Sequence, residues 1–115
     1  MAMKRKRGEV TEFQNRVYAA ARKIPRGKVT TYKYLARAIG CGSSRAVGQA
    51  LRVNPFAPEV PCHRVIRSDL TIGGFSGQVE GPSIEEKKAL LAREGVRFDG
   101  DRLSRREDVY RFDDL

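Results

Sequence analysis

Cys62, His63 and Arg64 follow one another directly after Pro61. A cysteine reacts as its thiolate, so a nucleophilic one needs a base or a positive charge nearby. His63, the chain's only histidine, and Arg64 supply one group of each kind. Neighbours on an extended strand point to opposite faces, so adjacency alone does not bring the three together. Glu94 is a second unusual residue. It falls in the last turn of a predicted helix, where the macrodipole disfavours an anion. A carboxylate there can serve to orient a histidine. Cys41, Cys62 and one histidine make no metal-ligand pattern, so no metal is expected. There is no Gly-rich phosphate loop, and no cofactor is expected.

These groups have to be positioned by a small scaffold. The 115 residues allow one modest core, and a hydrophobic fraction of 40% is enough to fold it. Residues 1–10 read as a loose basic arm, whose Lys4-Arg5-Lys6-Arg7 suits phosphate contact, nuclear import or plain solvation. Residues 11–115 form the expected domain. Its first helix begins at Thr11, where Thr11 and Gln14 fit a capping box. Phe13, Val17, Ala20 and Ile24 follow at helical spacing, and Pro25 stops the helix. A threonine of the Thr30-Thr31 pair caps the second helix, with Leu35 and Ile39 on one face and Gly40 after its end. Ser44 is the expected N-cap of a third helix, with Val47 and Leu51 buried and Asn54-Pro55 ending it. Two short helices across a Gly-containing turn read as a helix-turn-helix. Arg45 opens the second of them, and small residues at Ala46, Gly48 and Ala50 would let it approach a surface closely.

The chain continues through a proline-rich extended connection from Pro55 to Pro61. Cys62–Ile66 reads as a short strand or turn, and Thr71–Gly77 as a glycine-rich loop. A last helix starts at Ser83, with Ser83 and Glu86 as a second capping box, and ends at Gly95. Asp99-Gly100 turns a hairpin or wing. The expected fold class is therefore mainly α, a helix-turn-helix or winged-helix-like domain with short β segments.

Charge narrows the partner. Lysine and arginine number 23 against 14 acidic residues, a net charge of +9. On a small domain that excess suggests a polyanion, nucleic acid first. No run of about 18 apolar residues is present, so no membrane span is expected. The basic start lacks an apolar stretch behind it, which does not fit a secretory signal. Two cysteines without an export signal point to a reducing, intracellular setting, the cytoplasm of a prokaryote or the nucleus of a eukaryote.

Several segments together resemble the O6-alkylguanine-DNA alkyltransferases. Pro61-Cys62-His63-Arg64-Val65 is similar to their active-site motif, and the run Arg45–Pro55 to their recognition helix and the asparagine hinge after it. Ile24–Tyr32, Gly74-Phe75-Ser76-Gly77 and Leu90–Gly95 match further blocks in the same order. The resemblance spans roughly residues 12–96 and corresponds to the C-terminal domain of the longer members.

The resemblance implies a function: direct, irreversible transfer of an alkyl group from O6-alkylguanine in double-stranded DNA to Cys62, after the base is flipped out of the helix. Cys62 would be the acceptor, His63 its base through a bound water, and Glu94 the residue that orients His63. Asn54 would hold the turn between recognition helix and active site. Tyr32 would rotate the 3′ phosphate, contact the damaged base and protonate the leaving guanine. Arg45 would enter the duplex and fill the gap, with Ala46 against the minor groove. Gln14, Lys33 and Ser68 would contact the DNA backbone. The Ser76 N–H would meet the guanine O6, the Cys62 and Val65 carbonyls would read its exocyclic amine, and Phe75 would line the pocket. No residue is evident that removes the thioether, so the protein would act once, as a monomer.

The chain departs from the family pattern in three places. These residues do not include the N-terminal domain of longer members or any zinc site it carries. Phe75 stands where tyrosine is common, and the loop before Arg45 is one residue shorter than in some members. One alternative is a non-catalytic alkyltransferase-like protein that binds O6-alkylguanine and recruits other repair factors. Such proteins typically have tryptophan or alanine at the cysteine position. The other is a winged-helix transcription regulator, which needs no reactive Cys62.

Overall fold

The computed structural model describes residues 10–57, 59–73 and 82–112, without the side chains of Pro82 and Ser83. The expected basic arm, and the expected pocket residues Phe75 and Ser76, lie outside the described residues.

Local chemistry sets the helix ends. Helix α1 spans Glu12–Ala21, and its start is a complete capping box. Thr11 Oγ1 accepts from the Gln14 N–H, and Gln14 Oε1 accepts from the Thr11 N–H, each at 2.9 Å. The helix stops at Ala21, earlier than the spacing to Ile24 suggests. Lys23 and Ile24 instead donate to the carbonyls three residues back, and Ile24, restricted by the proline after it, stays buried at 1% exposure. Helix α2 covers Tyr32–Ala38, with Thr31 as its cap. Gly40 takes φ +69, and the amides of Gly40 and Cys41 return to the carbonyls of Arg37 and Ala36. That Schellman motif makes the sharp turn into the next helix.

Helix α3 spans Ser44–Arg52. Its cap is Ser43, not the expected Ser44. Ser43 has extended backbone and its Oγ accepts from the Ala46 N–H at 3.0 Å, whereas Ser44 is already helical. Helix α4 spans Pro82–Arg93. The helix begins one residue before Ser83, with proline at the first helical position, where its missing N–H is not needed. Ser83, the expected cap, thus falls inside the helix and not before it.

Helices α1, α2 and α3 pack around Val17, Tyr18, Leu35, Val47 and Leu51. Tyr18 is fully buried and its hydroxyl donates to the Ala50 carbonyl at 2.7 Å, which satisfies its polar end. A second core joins Ile84 and Leu91 of α4 to Val29, Ile72, Val96 and Leu103.

A two-residue strand links the cores. Strand β1, Thr30–Thr31, pairs in parallel with β2, Val65–Ile66, and the α2–α3 pair lies in the crossover between them. Alternation along β2 sends Val65 into the first core and Ile66 into the second. A single 3-10 turn, Cys62–Arg64, leads into β2, so the segment is turn and strand in succession.

The expected hairpin is present as β3, Phe98–Asp99, against β4, Arg102–Leu103. The chain then returns alongside β1. The amide of Val29 donates to Asp108 O at 2.8 Å, and that of Tyr110 donates to Val29 O at 2.6 Å.

Candidate active site

Cys62 opens the 3-10 turn, partly buried against the first core. Its amide donates to Val60 O at 2.8 Å. The same carbonyl accepts from Asn54 Nδ2 at 2.9 Å, and Asn54 Oδ1 accepts from the Phe56 N–H. Both lone pairs of Val60 O are thus used. Asn54 ties the end of α3 to the backbone that holds the thiol.

His63 and Glu94 meet although 31 positions separate them. His63 Nε2 lies 3.0 Å from Glu94 Oε2, with the two side chains 4% and 7% exposed. Arg64 completes the pair: its Nε donates to Glu94 Oε1 at 2.8 Å and its NH2 to Oε2 at 2.9 Å. Its NH1 donates to Ile24 O at 2.9 Å. This two-point fork fixes the plane of the carboxylate.

Glu94 itself is placed by the end of α4. The amides of Gly95 and Val96 close a Schellman motif on Ala92 O and Leu91 O, with Gly95 at φ +87. The anion sits at the unfavourable end of the helix dipole because Arg64 and His63 compensate it. Burial alone would raise the Glu94 pKa, but hydrogen bonds from Arg64 and His63 hold it below the ordinary value. Burial lowers the pKa of His63, against the opposing pull of Glu94. His63 is therefore neutral at pH 7. With Nε2–H donated to the carboxylate, Nδ1 is left as an acceptor.

Tyr32, at the start of α2, sits between α3 and the loop at Gly73. A β-carbon at Gly48 or at Gly73 would each lie 3.8 Å from its ring. Burial, and then the charge of Cys62, raise its pKa, so the phenol keeps its proton. Lys87 is a residue of the site that motif reasoning missed. It is fully buried, and its Nζ donates to Val65 O at 2.8 Å and Ile72 O at 2.7 Å. Burial brings its pKa down to about 7, against a raising influence of Cys62. Cys62 O accepts from the Val65 N–H.

Beside this site an open groove is lined by Tyr32, Arg45, Gly48, Gln49, Arg52, Arg67 and Ser68. It gathers three expected contact residues, Tyr32, Arg45 and Ser68. It adds Gln49, Arg52 and Arg67, which motif reasoning missed. Arg45 is exposed in the first turn of α3. Ala46 is partly buried and, like Gln14, does not line the groove. Ala50 is not available to a surface at all: it is 3% exposed in the first core. Exposed Lys33 faces the neighbouring cleft together with Ser68.

Comparison with known proteins gives the family and the fold. The family described as "6-O-methylguanine DNA methyltransferase, DNA binding domain" matches residues 12–96. A methylated-DNA–protein-cysteine methyltransferase of Methanothermobacter thermautotrophicus is 45% identical over 93 residues, 81% of this chain and 49% of that protein. The chain spans about half the length of the curated relatives it matches. The crystal structure of Mycobacterium tuberculosis OGT in complex with DNA superposes with TM-score 0.66 at 42% identity, over 75% of this chain and 51% of that one. S. pombe ATL in complex with DNA gives TM-score 0.70 at 34% identity, over 89% of this chain and 97% of that one. The helix-turn-helix with short strands is thus a fold shared with these proteins, and the chain belongs to the family of the 6-O-methylguanine DNA methyltransferase DNA-binding domain.

Proposed function

We propose that this protein repairs DNA by moving the alkyl group of an O6-alkylguanine onto Cys62. One observation carries the reading: in the turn that opens with Cys62, the next residue is a buried His63 whose Nε2 is committed to an Arg64-clamped Glu94. That arrangement holds a neutral imidazole ready to take a proton.

In the proposed reaction Arg45 fills the space vacated by the flipped guanine, offsetting part of an unstacking cost of about a few kcal/mol. His63 Nδ1 takes the thiol proton through an intervening water. The thiolate sulfur attacks the alkyl carbon, the carbon–O6 bond breaks, and its electrons stay on the guanine. Tyr32 gives the departing base a proton and recovers one afterwards. The net result is one proton moved from thiol to guanine and a thioether on Cys62. A thioether is a poor leaving group, so each molecule acts once. The carbonyls of Cys62 and Val65, each with two lone pairs, suit the exocyclic amine of the base.

The near-complete overlap with S. pombe ATL supports a second reading, lesion binding without transfer. Intact-mass spectrometry after mixing with O6-methylguanine duplex under reducing conditions separates the two. Transfer adds one methyl, about 14 Da on the reaction class, mapping to Cys62. Tight lesion binding with unchanged mass refutes transfer, and a label on Cys41 or many turnovers per protein refutes the mechanism.

A further inference from the structure

A second basic cleft adjoins the Arg45 groove, and much of it comes from residues beyond the family match. It has a volume of ≈ 470 Å³, and Lys33, Arg37, Arg102, Arg106 and Arg111 all line it. Its single carboxylate, Asp69, accepts at Oδ1 from the Thr71 N–H at 3.0 Å and the Thr71 hydroxyl at 2.7 Å, and the charges of Arg67 and Arg102 act on it, so one anion stands against five cations. Among the described residues none of the five cations makes an ion pair. Arg37 and Arg111 instead stack on the Tyr34 ring, 5.7 and 5.9 Å from its centroid.

Five cations around one carboxylate leave an excess of positive charge that a further anion relieves. The cations are also held in place. Leu103 donates to Leu70 O at 2.8 Å and Ile72 to Asp101 O at 2.7 Å, which fixes the hairpin bearing Arg102. Thr30 Oγ1 donates to Tyr110 O at 2.7 Å, which fixes the segment bearing Arg111. The two surfaces are continuous, because Ser68 lines both and Lys33 follows Tyr32 in α2.

We propose that this cleft binds backbone phosphates of the DNA strand running on from the Arg45 groove, so that the C-terminal segment lengthens the contact with the duplex. The proposal rests on the DNA reading above. Guanidinium groups on rigid backbone suit phosphate oxygens, and phosphate contacts position a protein without reading sequence.

The test uses the full chain and the double variant Arg102→Gln/Arg106→Gln, whose residues are exposed and outside the reacting site. Duplex affinity is measured from low to moderate salt on a long and a short alkylated duplex, with transfer from free O6-benzylguanine as control. Each phosphate contact contributes about −0.9 to the log–log salt slope. The variant should have a slope shallower by about 1 to 2 and lose its preference for the longer duplex, while reacting with the free base at the wild-type rate. Wild-type salt slope and length preference in the folded variant would overturn the cleft alone. A wild-type protein that reacts with the free base but does not bind duplex overturns the DNA reading and the cleft with it.

Discussion

Arg64→Met tests the relay at the point where the structure is most specific. The substitution keeps much of the apolar stem and removes three hydrogen bonds, two to Glu94 and one to Ile24 O. It leaves a carboxylate that is 7% exposed with His63 as its remaining side-chain hydrogen-bond partner. Breaking a buried ion pair from one side costs about 3–5 kcal/mol. A domain of this size has about 5–15 kcal/mol in total. At about 4 °C per kcal/mol, the Tm should fall by on the order of 12–20 °C. The chemistry should change as well. Arg64 lowers the pKa of both His63 and Glu94, so its loss raises both. His63 then protonates at higher pH and ceases to be a base there. In single-turnover transfer from free O6-benzylguanine, measured well below the variant's Tm, the acid limb of the pH–rate profile should move upward. The rate at pH 7 should fall, by no more than the roughly 10²–10⁴ that a general base contributes. Arg64→Lys should recover part of the Tm, since a point charge cannot supply the fork. A folded Arg64→Met protein with wild-type Tm and an unmoved acid limb would refute the clamp.

Three other outcomes follow from the geometry. Lys87 is held at a pKa of about 7, below its unfolded value, so the unfolded chain binds more protons between about pH 7 and 10, and stability should rise with pH across that window; in Lys87→Met, followed by urea unfolding, that rise should disappear, and an unchanged pH dependence would contradict the buried lysine. Ser43→Ala should lower stability by about 1 kcal/mol while Ser44→Ala stays within about 0.5, because only Ser43 caps α3; equal effects in chemical denaturation would contradict the assignment. Arg45→Ala should slow repair of duplex DNA far more than reaction with the free base, which needs no flipping, and equal slowing would make Arg45 a residue of folding or of the thiol.

What could be read from the sequence was local. Thr11 and Gln14 are three residues apart, and their box closes without any tertiary contact. Adjacent serines at 43 and 44 offer the same chemistry, so pattern alone misplaces the cap by one. Small residues carry little hydrophobic signal, which is why Ala50 reads as a surface position although it lies in the core. Lys87 is passed over because lysine is ordinarily solvated. Yet Ile84, Lys87 and Leu91 stand at i, i+3 and i+7, and all three are buried. A lysine on an apolar stripe was the available signal. The two-residue strands β1 and β2 are too short to show any period, and their pairing is a product of the packed helices.

The clamp on Glu94 has a different origin. Its members come from three places: His63 and Arg64 from the turn after Pro61, Glu94 from the end of α4, and the Ile24 carbonyl from the turn after α1. No one of these segments encodes the contact. The sequence of each encodes only its own ending: the proline after Ile24, the 3-10 turn at Cys62, and Gly95 closing α4. The strand β2 then sets their spacing, because Val65 and Ile66 are buried in separate cores and the turn before them cannot move relative to either. Weakening either core should therefore misalign His63 and Glu94 before it unfolds the domain. Leu35→Ala and Leu91→Ala each remove a fully buried side chain, at about 2–5 kcal/mol. Leu35 is remote from the relay in sequence and sits in the first core, yet both variants should lose transfer rate at temperatures where circular dichroism still reports folded protein. If activity instead followed the folded fraction alone, the site would be held by its own hydrogen bonds and not by the junction of the two cores.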